Sequence, residues 1–212
     1  MQRRSFRGEA GRPFGTVAAL LCLLLAIALL VLWDVARDLI GAADPFHVEP
    51  ARAAGYWGVL LAAEIVKATT AFAILLAVWT LSGPIGPRSP RSIAALALGT
   101  VGAVLLGIAA HWYIEAAAWL GDGRASPMGA PMAMLSAAAL ICLGLWAGLL
   151  MFEARAARSL PGWVQGLVLL LAATCLAAAA IPALALAAVS VSVAWWAALF
   201  ATLYKPEDRL RA

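Results

Sequence analysis

The sequence predicts an all-α fold: a polytopic transmembrane helical bundle of six spans with both termini cytoplasmic. Three observations carry this. Of 212 residues, 65% are hydrophobic and 12% charged, and the mean hydropathy is +0.94. Helices this apolar on every side have no polar face to offer water. The apolar runs reach the roughly 20 residues needed to cross a hydrocarbon core about 30 Å thick. Finally, lysine and arginine alternate between abundant and scarce from one connecting segment to the next.

The spans are expected at 16–40, 56–82, 92–120, 130–153, 162–180 and 183–204. A basic segment precedes them at 1–15 and a short tail follows at 205–212. Span one begins after Arg3, Arg4, Arg7 and Arg12. It is longer than a signal-peptide core of about 7–15 residues and has no small-residue cleavage site behind it, so it reads as an uncleaved first span. Asp44-Pro45 and Glu49-Pro50 separate spans one and two, and Gly83-Pro84, Gly86-Pro87 and Ser89-Pro90 separate two and three. Gly121-Asp122-Gly123 and Ser126-Pro127 separate three and four. Proline lacks the helical N–H donor, and with glycine it ends helices.

The last boundary is the least marked. Trp163 to Tyr204 contains no charge, and one helix of that length would be roughly 63 Å long, about twice the hydrocarbon core. Ala180-Ile181-Pro182 is therefore read as a tight turn between spans five and six. The alternative is a five-span chain with one long kinked segment.

Orientation follows from the loops. Arg52 stands alone in loop one, Arg88 and Arg91 lie in loop two, Arg124 in loop three, Arg155 and Arg158 in loop four, and no cation in loop five. Lys205, Arg209 and Arg211 lie in the tail. Basic residues mark the cytoplasmic side, so both ends are placed there, in the cytoplasmic (inner) membrane. Trp33, Trp57 and Trp119 fall at external span ends and Trp79 and Trp163 at cytoplasmic ends, where an apolar ring with one polar N–H is at home. Trp112 and Trp146 lie deeper and read as packing residues.

A few charges interrupt the spans. Glu64 and Lys67 lie roughly 12 and 16 Å below the external end of span two, at 1.5 Å per residue. His111 and Glu115 occupy the outer part of span three, and Asp34, Arg37 and Asp38 the outer turns of span one. Charge in a bilayer is costly and marks candidate sites. Glu64 and Lys67, three apart, share a helix face, as do His111 and Glu115, four apart. Gly99, Ala103 and Gly107 continue the His111 column inward, drifting about 40° per four-residue step. Small residues let helices approach closely, so this face of span three is expected to pack on a neighbour. Gly144 and Gly148 form a GxxxG in span four, also read as a packing contact.

Two readings of the charges follow. In one they are mutually neutralised, hydrated or bonded to backbone, and serve only to hold helices together. In the other, Asp38, Glu64, Lys67, His111 and Glu115 line a water-accessible cavity, with His111 exchanging protons near neutral pH.

Other chemistry is faintly marked or missing. Cys22, Cys142 and Cys175 are odd in number and lie in apolar runs, arguing against a disulfide framework. No GxSxG, P-loop, HExxH or dinucleotide fingerprint occurs. No cofactor is expected, although His111 and Glu115 offer a metal two ligands and, with Tyr113, a foothold for a quinone. The pI near 9.3 reflects basic residues spread over several loops, so no nucleic-acid partner is expected.

The expected partners are the lipid bilayer and other membrane subunits or a second copy. Three functions fit, in this order: a non-catalytic subunit or accessory component of a membrane complex; a small-solute or proton-coupled transporter using Glu64, Lys67 and His111; and a membrane-embedded enzyme or quinone-binding anchor.

Overall fold

A computed structural model of the chain describes residues 12–40, 57–82, 90–121, 129–156 and 160–204. They form six α-helices: α1 (Arg12–Ile40), α2 (Trp57–Ser82), α3 (Pro90–Gly121), α4 (Gly129–Ala156), α5 (Gly162–Ala180) and α6 (Ala185–Tyr204). Each contains a stretch of 19–26 residues long and apolar enough to cross a membrane. Even the shortest, 19 residues, extends about 28 Å at 1.5 Å per residue, close to one hydrocarbon core. Large apolar side chains cover the outside of the bundle, among them Phe14, Val31, Phe72, Met134, Phe152 and Leu169. The chain is a multi-pass integral membrane protein.

The six-span reading rests on the break at Pro182. The N–H of Ile181 donates to Ala177 O at 2.7 Å and closes α5, while Ile181 itself is extended, with φ −128° and ψ 92°. A residue before proline is driven out of the helical region by the proline ring. Pro182–Leu184 then forms one 3-10 turn leading into α6. A single kinked helix across this stretch is excluded.

The helices pack as a ring in chain order. Each touches its neighbours in sequence, and α1 closes the ring against α6. A Cβ added to Gly15 would lie 3.8 Å from Leu203 Cδ1, so the start of α1 and the end of α6 share one face of the bundle, here the terminal face. Exposed Arg91 and Arg155 stand at the helix ends of that face, and exposed Trp79 and Trp163 lie near it. The opposite face is called distal. The loop segments and the two ends, which carry most of the basic-residue alternation, lie outside the described residues, as do the side chains of Trp57 and Trp119.

Close packing follows the small residues. A Cβ on Gly99 would stand 2.7 Å from Val78 Cγ2 and 2.8 Å from Trp146 Cδ1, so α3 meets both α2 and α4 there with no room for a methyl group. Ala103 is buried and Gly107 faces Ala71 of α2 at 3.7 Å. Gly102, which the sequence reading did not single out, seats the Leu143 side chain of α4. A Cβ on Gly144 would lie 3.1 Å from Ala172 O of α5, whereas one on Gly148 would meet nothing within 4 Å. The close approach at the GxxxG is therefore made by Gly144 alone.

Candidate functional site

The buried stripe of α2 sets the site. Glu64, Lys67, Thr70, Ala71, Ala77, Val78 and Leu81 are all buried, and at about 100° per residue they fall along one side of the helix. Glu64 and Lys67 belong to that stripe, and their side chains are only 6% and 1% exposed. They form an ion pair, with Lys67 Nζ on Glu64 Oε2. The same ammonium lies 4.4 Å from the centroid of the Tyr113 ring of α3. The aromatic face carries negative potential, so it supports the cation alongside the carboxylate. The pair is thus held between two helices as a nearly neutral unit. Separately, either charge in such a place would cost several kcal/mol, on the order found for buried ions after relaxation.

Lys67 also lines a cavity inside the ring, about 100 Å³ in volume. All six helices contribute to its wall. Measured along each helix from the distal end of its span, the lining begins about 3 Å down at Trp33 and about 4 Å down at Ala185. Its deepest residues are Ile74, about 24 Å down, and Trp146 and Trp196, about 21–22 Å down. At this level packs a plug of tryptophans. Trp195 is wholly buried, meets Trp146 edge-on at 6.0 Å between ring centroids, and lies 4.2 Å from Trp196. Its indole N–H has no acceptor among the described residues, so ring packing holds the plug. The lumen is therefore a cup, hollow in its distal part and filled by aromatic rings toward the terminal face. Lys67 is its one charged lining residue among the described residues.

The other candidate charges lie elsewhere. His111 Nε2 is 3.3 Å from Glu115 Oε1, but their side chains are 65% and 53% exposed. They continue an exposed column of α3 through Ile93, Val101, Val104 and Ile108, the column on the outside of the bundle. Asp34 and Asp38 are exposed at the distal end of α1, and the side chain of Arg37 lies outside the described residues. The five residues read as one cavity lining therefore do not share a cavity: of Asp38, Glu64, Lys67, His111 and Glu115, only Lys67 lines it.

Helical drift is the reason. Gly99 and His111 are twelve residues apart, three steps of about 40°, so His111 points some 120° away from the glycine column. Tyr113 is two residues further, about 200° around from His111, and it is Tyr113 that turns toward α2. Tyr113 thus lies on a different face of α3 from His111 and Glu115. Among the described residues no three His, Cys, Asp or Glu side chains gather where a metal ion could sit.

Two features escaped the sequence reading. Trp33, expected at the membrane interface, is 2% exposed and forms the upper wall of the cup. The plug unites Trp146 with Trp195 and Trp196, some 50 residues apart in the chain. A cue for the first lay in periodicity: Cys22, Ala26, Leu29 and Trp33 recur at helical spacing and are all buried.

The chain matches no protein-family model, no curated protein and no solved structure.

Proposed function

We propose that this protein is a non-catalytic subunit or accessory component of a complex in the cytoplasmic membrane, with both termini cytoplasmic. One observation carries the preference over proton-coupled transport. The two titratable pairs of the distal half face different surroundings, Glu64–Lys67 inside the ring and His111–Glu115 on its outer surface. A relay needs groups within hydrogen-bonding reach or joined by water, and the cup is floored by packed indoles. On this reading the buried pair fixes the register of α2 against α3. The broad apolar outside of the ring meets lipid and partner helices.

The test is isolation of the tagged full chain from its own membrane in mild detergent. A fixed, stoichiometric membrane partner is expected, retained in Glu64→Gln protein that inserts normally. The reading fails if the chain is isolated alone and, in proteoliposomes, carries a pH-dependent solute flux that Glu64→Gln abolishes.

A further inference from the structure

The cup is a built cavity that the subunit reading leaves unused, and its walls specify a ligand. We propose that it binds a small uncharged molecule with one hydroxyl on a short apolar body, a short-chain alcohol. The inference does not depend on the subunit reading.

Size comes first. The volume of about 100 Å³ falls below the roughly 150 Å³ of an apolar cavity known to hold benzene. That leaves room for a body of about four or five heavy atoms.

Chemistry narrows it further. Most of the wall is aliphatic or aromatic, with Leu29, Leu106, Leu140 and Leu171 among the lining residues, so an apolar body is favoured. The polar groups lie at one level. Counted along the helices from the distal ends, Lys67 is about 14 Å down, Ser192 about 15 Å and Thr70 about 18 Å. Thr70 Oγ1 donates its proton to Val66 O at 2.7 Å, and Ser192 Oγ donates to Val189 O at 2.7 Å. Each hydroxyl has thus spent its donor on its own helix and keeps oxygen lone pairs as acceptors. Lys67 lines the same part of the wall, but its ammonium is sealed against Glu64 and the Tyr113 ring. A ligand hydroxyl can donate to one of these oxygens, which matches a site that offers acceptors. A ketone could not donate to Thr70 or Ser192, and a bare alkane would leave them unanswered.

Charge excludes ions. Glu64 already neutralises Lys67, so the cup offers no net charge to offset the dehydration of a carboxylate or an ammonium.

The experiment uses the full-length protein in lipid nanodiscs, with 1-butanol observed by saturation-transfer NMR. Saturable binding is expected. Ala188, buried in the wall of the cup, is replaced in Ala188→Leu, which should abolish binding by filling the cavity. Ser192→Ala removes one acceptor with little change of shape and should weaken binding about five-fold, the equivalent of one ordinary hydrogen bond. Butyrate should not compete, and 1-chlorobutane should compete more weakly than 1-butanol. A signal that rises linearly without saturation and is equal in both variants is partitioning into the bilayer, and overturns the proposal. So does a co-purified lipid chain that butanol fails to displace, or butyrate binding more tightly than butanol.

Discussion

Glu64–Lys67 and His111–Glu115 are the same device in two places. Each joins an acid and a base one helical turn apart, on adjacent helices, in the distal half of the bundle. One is all but sealed inside the ring and the other more than half exposed. Depth does not separate them: Glu64 lies about 9 Å from the distal end of its span and His111 about 6 Å from that of its own. The helix face does. In a membrane bundle an ionisable residue is defined by its angle around the helix as much as by its distance from the bilayer surface. Here the angle gives one pair a cation–π partner and a place beside the cavity, and leaves the other on the outer surface of the bundle.

The contrast can be broken or sharpened by substitution, with unfolding followed in detergent micelles. The largest effect is expected from Glu64→Gln or Lys67→Met alone, because each strands one buried charge. A loss of about 3–5 kcal/mol is expected, on the scale of breaking other buried ion pairs. Next comes the wall that shapes the ring. Gly99→Val drives a branched side chain into Val78 and Trp146, and overpacking of this kind costs about 1–3 kcal/mol. Gly148→Ala enters open space and should leave the unfolding midpoint unchanged or slightly raised. The smallest effect belongs to His111→Ala, which removes an exposed pair worth less than about 1 kcal/mol and screened by salt. A His111→Ala loss as large as that of Lys67→Met would erase the distinction between the two faces.

Much of the fold was legible in the sequence because hydrophobic length and turn chemistry are local signals. The break at Pro182 could be read from one residue and the length of an uncharged run. The placement of Glu64 and Lys67 on one face was legible too, since three residues make nearly one turn. What could not be read was which face of each helix the ring would enclose. Outward residues of a membrane helix are as apolar as inward ones, so Ile108 and Leu106 look alike in sequence although only Leu106 is buried. Extending the Gly99 column to His111 compounded a 40° drift three times and carried that residue to the outside. The tryptophan plug was out of reach for another reason: it depends on α4 and α6 meeting across the lumen, a contact between residues that no local pattern links.

The central claim is that Glu64 and Lys67 act as one neutral unit within the ring while His111 and Glu115 do not. A pair of double-mutant cycles tests it most directly, with Glu64→Gln and Lys67→Met in one and His111→Ala and Glu115→Gln in the other. The account predicts that the Glu64→Gln/Lys67→Met double variant recovers most of the stability either single variant loses, giving a coupling energy of about 2 kcal/mol or more. The His111–Glu115 cycle should give less than about 1 kcal/mol. Additive losses at Glu64 and Lys67, or equal coupling in the two cycles, would contradict it.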